Sequence, residues 1–441
     1  MRQLLTICAA AVMLALSALP SRAATEITWW HGLAGPLGEW VDDLAKGFNE
    51  SQSEYVVVPT FKGEYAESIT AAIAAFRTKT QPHILLVPTY ATAQFMTAKG
   101  AIVPVHELMA ESGLAFDPSV YLKGVVGYYA DAEGRMLSLP FNSSTPVMYY
   151  NRDAFTKAGL DPDAPPRSWP ELEAAARKLM AAGSRCGFTL SWQEWVLLEN
   201  LSAWHNWPVA TQQNGYAGLD VELRLNDKLQ NHHLAWMKKM HQEGIFKYGG
   251  RGNNAQALFT TGECPITFNS SAGYAGAKKE AKFPFGIAML PYWPEFAKGP
   301  DNGPQNSIIG GASLWTLAGH DAADYKGIAA FFKYLSDTKV QAASHQRTGY
   351  LPITTAAYEL TKQQGFYEKN PNTDVAIRQL DLNPPTENSR GIRLGNYLQI
   401  QGVWNEELEA LWSGQKTAEQ ALDAMVERGN ALLRQFEADN E

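Results

Sequence analysis

Three short apolar runs decide the fold class: Glu26-Ile-Thr-Trp-Trp30, Tyr55-Val-Val-Val-Pro59 and Ile84-Leu-Leu-Val87. Short apolar runs rich in β-branched and aromatic side chains are typical of strands. Between these runs lie two sets of apolar residues at helical spacing: Leu37, Val41, Leu44 and Phe48, and then Tyr65, Ile69, Ile73 and Phe76. Because strands alternate with helices, we predict an α/β fold in which a mainly parallel sheet is flanked by helices.

Loops at the carboxyl ends of the predicted strands are the places to look for a ligand, because open α/β sheets bind ligands there. These loops are Trp30-His31-Gly32, Lys62-Gly63 and Thr89-Tyr90.

A second αβ region begins near Ser168, which with Glu171 predicts a capping box at the start of a helix that reaches Met180. Near the carboxyl end, Thr417 and Gln420 predict the start of another helix. No long polar linker separates the regions, so we expect two closely joined lobes.

Composition limits the class of protein. The chain has 441 residues, of which 45% are hydrophobic and 19% charged, so it can bury a large core. At ~150 residues per domain, this length predicts two or three domains. A formal net charge of −8 at pH 7, without a basic block, argues against a nucleic-acid partner.

The first 23 residues have the pattern of an export signal. Arg2 precedes an apolar segment from Leu4 to Leu19, and Ser21-Arg22-Ala23 provides small residues for cleavage. A membrane anchor is the alternative, but the apolar segment is short and ends at a cleavage pattern. Removal of residues 1–23 leaves Cys186 and Cys264 in a compartment where disulfides persist. The spacing of these cysteines leaves both a bridge and two buried thiols open.

Motifs of common enzymes and cofactor sites are absent from the sequence. There is no P-loop, G-x-G-x-x-G, H-E-x-x-H, C-x-x-C or G-x-S-x-G. The adjacent pair His232-His233 would point in different directions on a helix and does not predict a metal site. We therefore expect no catalysis, no cofactor and no metal. A hydrolase with two carboxylates remote in sequence remains the rival class.

Aromatic residues and small polar loops point to a binding cleft. Trp192, Trp195, Trp204 and Trp207 lie within sixteen residues. Trp192 and Trp195 would share one face of a helix and form a wall for the C–H face of a polyol or for a quaternary ammonium group, although core positions are the alternative. The loops 141–146, 268–273 and 308–313 combine serine, threonine, asparagine or glycine, and so offer hydroxyl and backbone N–H groups to a ligand.

Longer segments resemble a known family. They are Val147-Met-Tyr-Tyr-Asn151, Phe259-Thr-Thr-Gly-Glu-Cys264 and Thr348-Gly-Tyr-Leu-Pro-Ile353. These segments resemble the bacterial extracellular solute-binding proteins of the large maltose-binding-like family. Within it, Pro140-Phe-Asn-Ser-Ser-Thr-Pro146 and Arg393-Leu-Gly-Asn396 are similar to the periplasmic sn-glycerol-3-phosphate-binding proteins of ABC importers.

The resemblance implies two lobes, joined by hinge crossings, that close over one small ligand in the periplasm and deliver it to the permease subunits in the inner membrane. It implies lobe 1 at 24–139 and about 302–345, lobe 2 at about 140–301 and 346–441, and a monomer that is not an enzyme. The implied ligand is sn-glycerol-3-phosphate or a glycerophosphodiester. A sugar or polyol on the same scaffold is the alternative.

The family's ligand contacts carry over to seven positions: Tyr65, Ser144, Trp192, Trp195, Ser270, Gly311 and Tyr350. Two further contact positions depart from the pattern. Thr89, followed by Tyr90, stands where the family has a glutamate, and Gln401 stands where it has an arginine. Because an arginine contact to phosphate is charge-assisted, its absence predicts a ligand that is bulkier or less charged than a phosphomonoester.

Overall fold

The computed structural model describes residues 24–98, 100–131 and 133–440. The predicted export signal, residues 1–23, lies outside this part. The strands are β1 (Thr25–His31), β2 (Tyr55–Phe61), β3 (Ile84–Pro88), β4 (Ile102–Val103), β5 (Leu139–Ser144), β6 (Pro146–Asn151), β7 (Thr189–Leu190), β8 (Ile266–Ser270), β9 (Phe285–Ala288) and β10 (Gly310–Leu317).

The strands form two sheets. The first has the order β2-β1-β3-β10-β4, and β5 also pairs with β10. The second has the order β7-β8-β6-β9. The chain passes from the first sheet to the second at Thr145, between β5 and β6, and it re-enters the first sheet at β10.

The prediction of an α/β fold is confirmed, but the expected predominance of parallel pairs is wrong. In the first sheet β1 pairs parallel with β2 and β3, whereas β10 is antiparallel to β3, β4 and β5. In the second sheet only β7 and β8 are parallel. The physical reason is the return of the chain from the second sheet. Strand β10 starts at the end of the sheet where β5 left it, so it must run in the opposite direction.

Helices cover both sheets. In chain order they are α1 (Gly35–Ser51), α2 (Tyr65–Arg77), α3 (Thr92–Thr97), α4 (Val105–Glu111), α5 (Lys123–Tyr129), α6 (Arg152–Lys157), α7 (Trp169–Ala181), α8 (Leu201–His205), α9 (Lys228–Gln242), α10 (Gln256–Thr260), α11 (Gly273–Glu280), α12 (Ala322–Leu335), α13 (Thr338–Thr348), α14 (Thr355–Gln363), α15 (Phe366–Lys369), α16 (Val375–Leu380), α17 (Tyr397–Trp412) and α18 (Ala418–Asn440). A short left-handed turn occupies Thr211–Gly215. Every helix of the described residues is too short or too polar to cross a membrane.

Both predicted caps are present. Ser168 and Glu171 form the capping box of α7, and the Thr417 N–H donates to Gln420 Oε1 (3.0 Å) at the start of α18. The predicted face of α1 is buried at Val41, Leu44 and Phe48.

The predicted apolar face of α2 is only partly right. Ile69 is fully buried, but Phe76 is 36% exposed, and the small residues Ala72 and Ala75 are buried instead. Small side chains allow α2 to approach the sheet closely, which leaves the larger ring at the edge.

Cys186 and Cys264 form a disulfide with a Cα–Cα distance of 5.0 Å. They precede the neighbouring parallel strands β7 and β8, so the bridge joins the two segments that lead into this part of the second sheet. This resolves the alternative that the spacing of the cysteines left open.

Two large apolar clusters hold the sheets and helices together. One cluster surrounds the second sheet and includes Phe268, Trp404 and Leu422. The other surrounds the first sheet and includes Trp29 and Tyr350. The carboxyl-terminal segment therefore packs against both sheets. The exact bounds of the lobes stay a prediction. Strand β5 pairs with β10 in the first sheet, so the chain first crosses to the second sheet at Thr145.

Candidate functional site

A cavity of about 1220 Å³, counting its open mouth, lies between the two sheets. Strand ends of both sheets meet at this cavity. Thr89 follows β3, Ser144 ends β5 and Ser270 ends β8, whereas Gly310 and Gly311 begin β10. Strand ends of the two sheets therefore place hydroxyl and backbone groups from distant parts of the chain around the same cavity.

The structure brings together all nine residues that the sequence singled out. The cavity is lined by Tyr65, Thr89, Ser144, Trp192, Trp195, Ser270, Gly311, Tyr350 and Gln401. Of the predicted sheet-edge loops, Gly32, Thr89 and Tyr90 line it. Lys62 does not, and its Nζ lies over the ring of Trp30 at 4.1 Å from the ring centroid.

The tryptophans divide between the cavity and the core. Trp192 and Trp195 line the cavity, but only Trp195 belongs to the π-helical segment Trp195–Asn200, whereas Trp192 has a left-handed φ of 54°. The two rings therefore do not share a regular α-helical face. Trp204 and Trp207 are core residues, and their Nε1 atoms donate to the carbonyl oxygens of Leu290 (3.1 Å) and Phe296 (2.9 Å).

Tyrosine hydroxyls face the cavity from the first sheet's side. Asn142 Nδ2 donates to the Tyr65 hydroxyl oxygen (2.9 Å), and this leaves the Tyr65 hydroxyl proton for another acceptor. Burial raises the pKa of Tyr65 to about 12, and it also raises the pKa of Tyr350. Both phenols are therefore protonated at neutral pH and can donate to anionic oxygens.

Glycines set how closely β10 approaches its neighbours. A Cβ on Gly311, whose φ is +95°, would overlap the carbonyl oxygen of Asn142. A Cβ on Gly310 would lie 2.6 Å from the ring of Trp195. Any larger residue at these positions would move either β5 or the indole that forms the wall of the cavity.

Two buried carboxyl groups, Glu194 and Glu199, also line the cavity, and sequence reasoning missed them. They are five residues apart, a spacing that does not share one face of an α-helix. The π-helical turn between them, which has i to i+5 hydrogen bonds, brings such residues toward the same side. No motif in the sequence signals this turn, although Glu194 lies inside the aromatic segment 191–196.

Gln401, which departs from the family pattern, has a hydrogen-bond partner in the cavity. Gln401 Nε2 donates to Glu199 Oε1 (2.6 Å), so the residue expected to be arginine in the family meets a buried carboxyl group here. Burial raises the pKa of Glu199 to about 7, a shift that the hydrogen bonds from Gln401 and Tyr397 oppose. Burial raises the pKa of Glu194 as well. Glu199 is therefore close to the balance between its charged and neutral forms at neutral pH.

Another group of titratable residues lies at the opposite end of the first sheet. His83, His320 and Asp324 are close enough to share a metal ion. However, the Thr28 N–H donates to His83 Nδ1 (3.0 Å), which places the ring proton of neutral His83 on Nε2, the atom that faces Asp324 at 3.5 Å. This arrangement favours a hydrogen-bonded pair over metal ligation.

Comparisons with known proteins place the chain in a family. The profile of the family of bacterial extracellular solute-binding proteins matches residues 43–374. Over 419 residues, the chain is 51% identical to UgpB of Yersinia pseudotuberculosis serotype I (strain IP32953), an sn-glycerol-3-phosphate-binding periplasmic protein. That match covers 95% of this chain and 94% of the relative. The protein of the same name from Rhizobium meliloti (strain 1021) is 48% identical over 417 residues, which are 94% of this chain and 95% of the relative.

Solved structures show the same fold. UgpB from Mycobacterium tuberculosis in complex with glycerophosphocholine superposes with a TM-score of 0.79 at 21% identity, and the match covers 93% of this chain and 99% of that one. The GacH receptor of Streptomyces glaucescens, solved unliganded and with acarbose, has a TM-score of 0.77 at 20% identity, with coverages of 94% and 100%. The predicted two-lobed fold is thereby confirmed. By profile and by identity over most of its length, this chain belongs to the family of bacterial extracellular solute-binding proteins.

Proposed function

We propose that this chain is the periplasmic solute-binding component of an ABC importer, which captures sn-glycerol-3-phosphate or a glycerophosphodiester and delivers it to the permease subunits. The main support for this proposal is sequence identity. The chain is 48–51% identical to sn-glycerol-3-phosphate-binding relatives over nearly its whole length. The convergence of nine separate residues on one cavity supports it.

The cavity offers a physical account of how a phosphate would be held. Ser144 and Ser270 provide hydroxyl groups, Gly311 provides a backbone N–H, and Tyr65 and Tyr350 provide protonated phenols. Ser270 Oγ accepts from the Ala272 N–H (3.1 Å), so its proton remains free to donate. Phosphate can be bound by neutral donors alone, because backbone N–H groups and hydroxyls satisfy its oxygens.

The protein acts in this proposal as a monomer without catalysis or a cofactor. A rival hydrolase would consume its ligand, whereas a binding protein returns it unchanged. We expect mass spectrometry to recover glycerophosphodiester intact after long incubation with the protein. Release of free glycerol-3-phosphate would contradict the proposal.

The direct test is calorimetric titration of the mature protein with glycerol-3-phosphate, a glycerophosphodiester and a neutral polyol. We expect at least one of the two phosphate ligands to bind tightest. Tightest binding of the polyol would instead support a sugar or polyol protein on the same scaffold.

Trp192 offers a matched test of the cavity itself. Trp192→Ala should weaken ligand binding by roughly 1 to 3 kcal/mol if the indole stacks on the ligand. The control is Trp236→Ala, since Trp236 is also half-buried but lies on α9 outside the cavity, where its Nε1 donates to Glu173 (2.7 Å). The control should leave affinity unchanged. Equal losses of affinity in the two variants would show that Trp192 acts only through stability.

A further inference from the structure

Among the described residues that line the cavity, two carboxyl groups are buried and no side chain is a fixed cation. The lining includes Glu64, Glu194, Glu199 and Glu280 but no lysine, arginine or histidine. Glu64 and Glu280 are exposed, so water and salt screen them, whereas Glu194 and Glu199 are only 7% and 4% exposed. A phosphate group that enters this cavity therefore meets two buried carboxyl groups, and like charges repel strongly where water is excluded.

The two buried carboxyl groups differ in their access to a positive charge. Glu194 is attracted by Arg251, although Arg251 also binds Glu409, with Nε 2.8 Å from Oε1. Glu199 instead accepts a hydrogen bond from the neutral amide of Gln401, at 2.6 Å. This amide satisfies one oxygen of Glu199 but does not cancel its charge. When further negative charge arrives, Glu199 is therefore the group of the pair that takes up a proton first.

The other titratable groups of the described residues around Glu199 are neutral or negative. Tyr397 of α17, Tyr90 after β3 and Tyr128 of α5 lie within electrostatic reach of this carboxyl group. Burial raises the pKa of all three phenols, so they are neutral near pH 7. Burial is also the main reason that the pKa of Glu199 is raised, and Glu194 adds a like charge in the same direction. A proton from the solvent is thus the positive charge that Glu199 can acquire.

We propose that Glu199 takes up a proton when an anionic ligand binds, so that capture of the ligand and protonation of this carboxyl group are coupled. This inference rests on the proposed function and adds a regulation of the same site. The proton passes from the solvent to a Glu199 oxygen and returns to the solvent when the ligand leaves, and the ligand itself is unchanged. The raised pKa of Glu199, about 7, puts this exchange in the neutral pH range. An acidic medium would therefore strengthen capture, and an alkaline medium would favour release.

Coupling of this kind predicts both the direction and the size of a pH effect. In the complex the bound anion holds the proton on Glu199, whereas the ligand-free protein loses it as pH rises through about 7. Binding should therefore take up about 0.5 proton at pH 7, and the uptake should approach one proton at pH 8. For the same reason, the Kd should increase about tenfold between pH 6 and pH 8.

Isothermal titration calorimetry in buffers of different ionisation enthalpy counts these protons directly. The mature wild-type protein is titrated with glycerophosphoglycerol and with glycerol-3-phosphate at pH 6, 7 and 8. The diester has no group that titrates in this range. The monoester titrates with a pKa of about 6, but it does so equally with every variant, so the difference between variants reports the protein. Glu199→Gln imitates the protonated carboxyl group, so it should remove the uptake and bind about tenfold more tightly than the wild type at pH 8.

Further variants locate the proton. Gln401→Arg places a permanent cation beside Glu199 and should remove the uptake, because the carboxylate then stays charged. Glu194→Gln removes the neighbouring like charge, so it should move the pH dependence to lower pH without abolishing it. Glu111→Gln, at an exposed carboxylate on α4 outside the cavity lining, is the control for the loss of one negative charge and should keep the wild-type uptake. Circular dichroism of each variant verifies folding.

The outcomes separate the two proposals. Equal proton uptake in the wild type and Glu199→Gln, or loss of binding in a folded Glu199→Gln, would overturn the coupling and leave the proposed function standing. Uptake that persists in Glu199→Gln but is lost in Glu194→Gln would also overturn it, because the proton would then belong to Glu194. If Glu199→Gln does not fold, the wild type decides alone, since binding of the diester at pH 8 without proton uptake contradicts the coupling. Binding of neither ligand at any of these pH values would contradict the proposed function, and the coupling with it.

Discussion

Gly310 allows the Trp195 ring to pack closely against β10 at the wall of the cavity. In Gly310→Ala the new methyl group would lie 2.6 Å from the Trp195 ring, so the indole must shift from its position. We expect calorimetry to show an affinity about tenfold weaker, by analogy with the loss of one well-packed contact residue. Gly127→Ala is the control, because a Cβ there meets nothing within 4 Å. An unchanged affinity in Gly310→Ala would show that Trp195 does not contact the ligand.

Glu199 makes the stability of the ligand-free protein depend on pH. The folded state raises the pKa of this carboxyl from 4.5 to about 7, so between these values the folded state binds a proton that the unfolded state has lost. Stability therefore falls as pH rises through this window, by about 3 kcal/mol from this group alone, and buried Glu194 adds to it in the same direction.

Denaturant unfolding between pH 4.5 and 8 measures this dependence. Glu199→Gln should reduce the decline, whereas Glu111→Gln, at an exposed carboxylate on α4, should leave it as in the wild type. The same slope in wild type and Glu199→Gln would mean that Glu199 is not responsible.

In the second sheet, the disulfide joins the segments that lead into β7 and β8. The bridged residues are 78 positions apart, and closing a loop of this length lowers the entropy of the unfolded chain. Replacing both cysteines, as in Cys186→Ser with Cys264→Ser, should lower the free energy of unfolding by about 4 kcal/mol. Reductant should destabilise the wild type and leave the double variant unaffected. Equal sensitivity of both proteins to reductant would contradict this role.

An ion pair joins two helices at the mouth of the cavity. Lys279 of α11 and Glu39 of α1 form an ion pair at 3.0 Å, and both side chains are more than half exposed. If the lobes close on the ligand, small-angle scattering should show a smaller radius of gyration at saturating ligand, together with a change in tryptophan fluorescence. Saturation in calorimetry without either change would contradict closure.

The exposed ion pair should contribute little to closure. Glu39→Gln is expected to change affinity by less than about fivefold, because exposed ion pairs are worth only ~0.2 to 1 kcal/mol and are screened by salt. A larger loss would show that the pair governs the closed state.

Features that depend on neighbours along the chain could be predicted from the sequence. The alternation of runs such as Ile84-Leu-Leu-Val87 with helical spacing predicted the α/β class, and the capping residues Ser168 and Glu171 predicted where α7 begins, because both signals are local. The resemblance to a family added nine candidate positions, and all nine line one cavity.

The direction of β10, the bridging of the cysteines and the burial of two carboxyl groups at the cavity depend on the packing of distant segments, so they became evident only in the folded protein. Strand direction follows from the path of the chain through the second sheet, which periodicity does not encode. Glu199 and Gln401 are 202 residues apart, so their hydrogen bond exists only after the π-helical segment and α17 have packed together. Burial by that packing raises the pKa of the Glu199 carboxyl group, since the cost of a charge depends on the surroundings that the fold creates.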